Sequence, residues 1–135
     1  MGNSVRKYNP NLCLFAKKLM KKIYHLSTCD TTQAILKEVE ALNKGAELQD
    51  IKTEKITPAQ IDEMKKLAGS YEALFSRRAL KYKSMGLNKK VLSEKDYRDL
   101  ILQEYTFLKR PVAIVDGKIF VGNAKAVVQE LKKAL

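Results

Sequence analysis

Cys29 has the strongest chemical potential in this chain, sitting in HLSTCDTTQAILKEV between a short apolar run and an amphipathic pattern. A strand ending near Ser27 and a helix beginning at Asp30 or Thr31 would place its sulfur at a helix N-terminus. There the backbone N–H groups lack intrahelical partners, and roughly half a unit of positive partial charge favours an anion. A thiolate is such an anion. Cysteines so placed have pKa values lowered from about 8.5 to roughly 3.5–7.5. Thr28, Thr31 and Thr32 add hydroxyl donors around the same loop. The competing reading is a buried, inert cysteine at a strand–helix turn, since free cysteine often simply packs. The strand–cysteine–helix context favours reactivity.

Three further positions could act with it. His25 precedes Cys29 by four residues. As imidazolium it would lower the thiol pKa; as a neutral ring it would be packing at the strand end. On a straight strand Tyr24 and Leu26 share one face and His25 points to the other. Arg110-Pro111 stands just before an apolar run. An X–Pro bond is the one place where a cis peptide is cheap. Arg110 could then project into a cleft and grip an oxyanion or carboxylate with its planar fork. The alternative is a surface arginine ahead of an edge strand. Arg77 and Arg78 form a second candidate anion site, or else an exposed helix face. On a helix adjacent residues point about 100° apart, so only one of them could face a cleft. One histidine and two distant cysteines offer no metal-ligand spacing, and no metal site is expected.

The elements that must position these residues follow from the pattern. KIYHLS (22–27) reads as a strand, and TTQAILKEVEALNKG as a helix with a stripe of Ala34, Ile35, Val39 and Leu42 closed by Gly45. AELQDIKTEKI (46–56) alternates weakly, as a second strand. Thr57, Pro58 and Gln60 spell a helix start with a capping box, and Gly69 ends that helix. YEALFSRRALKYKSMGL (71–87) is a helical stretch broken near Ser76. SEKDYRDLILQEY (93–105) is another helix, with Ser93 as cap and Asp96 three residues on. The runs VAIV and KIFV flank Asp116-Gly117, a two-residue hairpin signal. NAKAVVQELKKAL (123–135) closes the chain as an amphipathic helix. The order β-α-β, helical insert, β-β-α gives an α/β, thioredoxin-like fold with a mixed sheet.

The bulk properties set bounds. At 135 residues the chain fits one domain with a genuine core. Two cysteines cannot build a disulfide framework, which points to a reducing, cytoplasmic compartment. No apolar run approaches the ~20 residues that span a membrane. In the opening MGNSVRKYNPNLCLFAKKLM, LCLFA is too short for a signal-peptide core, and Arg6 breaks the myristoylation pattern. Residues 1–19 read as a poorly ordered extension ahead of a domain over 20–135. The net charge of +11 favours anionic partners, although many lysines come as KK pairs on solvated faces. No zinc, helix-turn-helix or RNA-binding signature accompanies that charge.

HLSTCDTTQAILKEV, LFSRRALKYKSMGL and LKRPVAIVDGKIFVG resemble, in order and spacing, the arsenate reductase (ArsC), Spx and YffB family, over about residues 20–135. The resemblance implies a monothiol reductase in which Cys29 is catalytic and attacks arsenate or forms a mixed disulfide with glutathione. His25, Thr32, Arg78, Arg110 and Pro111 would bind the anion, with no bound cofactor and glutathione or a glutaredoxin-like protein as external reductant. An ungapped match puts Ser76 at the middle arginine of the arsenate reductases, whereas the YffB and Spx pattern points to Arg78. The third arginine of those reductases falls on Gly122, a departure shared with the Spx and YffB branches. The CxxC switch of Spx is missing because Thr32 occupies the second position. Cys13 could resolve an oxidised Cys29 only if the tail folded back. The alternative implied by the resemblance is a non-catalytic, Spx-like regulator docking on RNA polymerase. In either case the chain reads as a monomer without membrane contact.

Overall fold

The computed structural model describes residues 20–41 and 44–135; the extension over 1–19, with Cys13, lies outside the described residues. Strand β1 (Lys21–His25) leads through a tight turn into helix α1 (Asp30–Glu38), and β2 (Glu47–Asp50) follows. The insert contains α2 (Pro58–Ala68), α3 (Leu80–Ser84) and α4 (Glu94–Gln103), joined by short 3₁₀ turns. The chain then returns to the sheet as β3 (Val112–Val115) and β4 (Lys118–Val121) and ends in α5 (Lys125–Ala134). The strand order is β2-β1-β3-β4. β1 runs parallel to β2 and antiparallel to β3, and β3–β4 is an antiparallel hairpin.

The period of two along the central strands separates two cores. Ile23, Ala113 and Val115 point to one face, where they meet Ile35, Leu36 and Val39 of α1 and its flank and Val128 and Leu131 of α5. Tyr24 and Val112 point to the other, where Ile61 and Met64 of α2, Tyr97 and Ile101 of α4, and Phe75 and Phe107 cover them. Helices therefore sandwich the sheet. The insert closes on itself through Phe75, whose ring stacks on Phe107 at 5.1 Å and tilts against Tyr97 at 4.9 Å.

Local chemistry explains where most elements begin. In α2 the Thr57 hydroxyl accepts from Gln60 N–H, the Gln60 side chain accepts from Thr57 N–H, and Pro58 opens the helix. Ser93 and Asp96 make the same reciprocal pair at α4. Asp116 and Gly117 hold φ of 51° and 83°, as a type I′ hairpin requires.

Three elements differ from the sequence expectation. Helix α1 stops at Glu38 with Val39 as its cap, well before Gly45, and Ala34 is exposed. Glu40 N–H bonds Lys37 C=O and Ala41 N–H bonds Leu36 C=O, the paired bonds of a Schellman stop, with Glu40 at φ 54°. Strand β2 ends at Asp50 because the chain turns there: Glu54 N–H returns to the Asp50 carbonyl and Lys52 N–H to its carboxylate. The stretch 71–87 is no continuous helix. It comprises a 3₁₀ turn at Glu72–Leu74, a bridge from Phe75 to Leu108, a turn carrying Arg77 and Arg78, and the short α3.

Candidate active site

Cys29 is the N-cap of α1, in extended backbone geometry, and its side chain makes no capping bond. Its N–H donates to Leu26 C=O at 3.0 Å, closing the Leu26–Cys29 turn, and its C=O accepts from Gln33 N–H at 3.0 Å. Asp50 braces the turn from the neighbouring strand, its carboxylate accepting from Ser27 N–H at 3.3 Å. The sulfur is partly exposed at the edge of the insert-side core.

Burial pushes the Cys29 thiol up, but the polar Thr32 side chain and backbone beside it, together with Arg110, outweigh that and the thiol is lowered. Thr32 lies one helical turn into α1 and is 1% exposed. Its hydroxyl has no nitrogen or oxygen partner among the described residues. A buried hydroxyl normally finds one; here it lies beside the sulfur and is left without one.

Arg110 reaches the same place from the far end of the insert. Ser76 N–H bonds Phe107 C=O at 2.7 Å and Lys109 N–H bonds Leu74 C=O at 2.8 Å, so a short two-strand clamp fixes the chain on both sides of Leu108. The Arg110–Pro111 peptide bond is cis, and Pro111 is buried at the start of β3. One guanidinium nitrogen, Nη1, is held by Thr106 C=O at 3.1 Å and Leu108 C=O at 3.0 Å. Its Nε is buried without a partner. Two buried polar groups without nitrogen or oxygen partners thus belong to the two residues that depress the Cys29 thiol. Such a pair suits an anion: the thiolate itself, or an oxyanion brought to it.

The remaining expected residues are placed differently. His25 ends β1, and its Nδ1 lies 3.1 Å from Gln33 Nε2. No hydrogen bond joins it to Cys29 among the described residues. Arg78 is exposed in the turn before α3 and makes no ion pair or side-chain hydrogen bond with a described residue. Arg77 is engaged elsewhere, with Glu72 at 2.8 Å, the Tyr97 hydroxyl at 2.9 Å and the Tyr97 ring at 5.7 Å. Gly122 holds φ 91° while its N–H bonds Pro111 C=O. An arginine there would have to adopt the left-handed region that side chains rarely occupy. Two residues at the site escaped the sequence reading, Gln33 and Asp50. Gln33 has only its position one helical turn after Cys29, which by itself names no chemistry. Asp50 has no signal, since its pairing depends on the β1–β2 register.

Among the described residues no group of three His, Cys, Asp or Glu side chains is placed to hold a metal ion, and no helix is long and apolar enough to cross a membrane.

The sequence model of the ArsC family matches residues 24–131. No curated protein matches the chain. Among solved structures, an arsenate reductase from Vibrio cholerae is similar with a TM-score of 0.72 at 15% identity, covering 87% of this chain and 98% of that one. An arsenate reductase (ArsC) related protein from Brucella melitensis has a TM-score of 0.63 at 25% identity, covering 82% and 92%. A YffB protein has a TM-score of 0.67 at 20% identity, covering 86% and 99%. The mixed four-stranded sheet with its helices is the thioredoxin-like fold these structures share.

Proposed function

The chain belongs to the ArsC family, and we propose that it is a monothiol reductase of the cytoplasm in which Cys29 is the nucleophile. The observation that supports this most is the pair of partnerless buried groups, Thr32 Oγ1 and Arg110 Nε, beside a thiol held below its ordinary range. That environment raises the thiolate fraction near neutral pH, and the thiolate is the attacking species.

In the reaction proposed, the oxyanion is arsenate. Arg110 and the α1 N-terminus neutralise its charge while the Cys29 sulfur attacks arsenic. An arsenic–sulfur bond forms, and an arsenic-bound oxygen leaves as water with protons from solvent. A glutathione thiolate then attacks the Cys29 sulfur. The sulfur–sulfur bond forms, the arsenic–sulfur electron pair remains on arsenic, and As(V) becomes As(III). Cys29 is left as a mixed disulfide with glutathione, which a second thiol, free or on a glutaredoxin-like protein, reduces by exchange. With Thr32 where a second cysteine could stand, the thiol that resolves Cys29 comes from outside. Arg78, exposed and without a described partner, is the second cation for an incoming anionic thiol such as glutathione.

The test is Cys29→Ser. Arsenate reduction coupled to glutathione and glutaredoxin should fall to background, and the wild-type protein incubated with arsenate and glutathione should gain the mass of one glutathione at Cys29. Turnover that survives in Cys29→Ser would sink the proposal.

A further inference from the structure

The turn that presents Cys29 is held by a side chain that the proposed reaction does not use. Leu26 C=O accepts the Cys29 N–H at 3.0 Å, and the same carbonyl accepts Gln33 Nε2 at 3.0 Å. Gln33 Nε2 also lies 3.1 Å from His25 Nδ1. The carbonyl can only accept, so the Gln33 atom that faces it is the nitrogen. An amide nitrogen has two hydrogens and only donates, so His25 Nδ1 is the acceptor in the second contact. The ring then carries its proton on Nε2. One NH₂ group spends both hydrogens on the strand end and the turn carbonyl, on either side of the peptide between His25 and Leu26.

This matters because Cys29 contributes no capping bond of its own. The first turn of α1 is fixed to the sheet by what reaches back to it, and on the helix side that is Gln33. Its own N–H returns to Cys29 C=O, so both its backbone and its side chain engage the Leu26–Cys29 turn.

We propose that Gln33 is the positioning residue of the Cys29 turn: its amide ties Leu26 C=O to α1 and holds His25 as the Nε2–H tautomer. The inference rests on Cys29 being the nucleophile. Its readouts, however, need neither arsenate nor glutathione, so its failure is separate from failure of the reductase reading.

Two variants test it. Gln33→Met keeps the length and removes both donors. The rate of Cys29 alkylation by iodoacetamide at pH 7 should fall on the order of tenfold, as expected when a reacting group loses its positioning, with the midpoint of the rate–pH curve moving upward. Gln33→Glu keeps the shape but offers Nδ1 only an acceptor. In a nitrogen-resolved histidine spectrum, the single His25 ring should change from an unprotonated to a protonated Nδ1, whereas the wild type keeps Nδ1 bare at the same mildly alkaline pH. Wild-type alkylation kinetics in folded Gln33→Met would overturn the proposal, as would a bare Nδ1 in Gln33→Glu. Should Gln33→Met fail to fold, the Gln33→Glu spectrum alone decides.

Discussion

Thr32 places a buried hydroxyl where the fold gives it no nitrogen or oxygen partner, and leaving such a group unsatisfied costs about 1–3 kcal/mol. The same hydroxyl is the leading influence that lowers the Cys29 thiol against the opposing effect of burial. Stability and reactivity therefore pull apart at this residue, as they commonly do at active sites. Thr32→Val, close to isosteric, should make the protein more stable by up to about 1 kcal/mol at a pH low enough for the thiol to be protonated. It should also slow Cys29 alkylation at pH 7. The sign with pH follows from linkage. A thiol whose pKa is depressed on folding adds stability that is complete above the unfolded thiol's value of about 8.5, and that is lost as pH falls through the folded value. Unfolding free energy should thus climb with pH across that window in the wild type and climb less in Thr32→Val, measured by urea titration at several pH values. A variant that is both less stable at that low pH and equally reactive would contradict this account. At this scale Cys29, Thr32 and Arg110 were legible in the sequence because a strand, a cysteine and a helix start are contiguous, and because Arg110-Pro111 marks the return to the sheet. Gln33 was not, because a glutamine on a helix has no chemical signature until its carbonyl and its histidine are known.

Elements whose ends are written in local side chains were read correctly, as at Thr57-Pro58-Gln60, Ser93 with Asp96, and Asp116-Gly117. Those ends depend on residues two or three apart, which a sequence displays directly. The end of α1 was misread because its stop uses glutamate in place of glycine. Glu40 occupies the left-handed position at φ 54°, exposed, while Ala41 and Leu36 pack together in the core behind it. The left-handed conformation costs a non-glycine residue about 1–2 kcal/mol, and glycine's extra unfolded-state freedom returns part of that. Glu40→Gly should therefore stabilise the protein, by about 0.5–1 kcal/mol. Chemical denaturation would show the midpoint rising with an unchanged slope. A lower midpoint would mean that the Glu40 side chain contributes more than its backbone costs. The stretch 71–87 was misread for a different reason. Its apolar residues serve a non-local clamp, Phe75 against Leu108 and Phe107, and the helical period it displays is incidental to that pairing.

Across the whole molecule the order of strands and helices sufficed for the fold class, because a parallel β-α-β half and an antiparallel hairpin can share one sheet in few ways. The net charge of +11 is also a whole-molecule property, and its meaning depends on what the ion pairs leave over. The pairs Lys22–Glu47, Arg77–Glu72, Lys81–Glu104 and Arg98–Asp62 neutralise four cations at 2.7–2.8 Å, each with at least one well-exposed side chain. The excess of cations is spread along the chain, and what part of it reaches Cys29 would add to the fixed charge of Arg110. The two contributions separate by their response to salt. A field from dispersed surface lysines is screened as the Debye length falls from about 30 Å at 0.01 M to about 8 Å at 0.15 M, whereas a partly buried charge beside the sulfur is screened much less. Iodoacetate and iodoacetamide differ mainly in charge, so the ratio of their alkylation rates at Cys29 measures the potential an incoming anion meets. That ratio should exceed the ratio for free cysteine, by up to about tenfold at 0.01 M salt. It should fall steeply toward 0.15 M and level off still above the free-cysteine value. A ratio equal to that of free cysteine at every ionic strength would show that the excess charge does not act at the thiol. A ratio that starts high and ignores salt would assign the whole effect to Arg110 and leave the lysines a role in solvation alone.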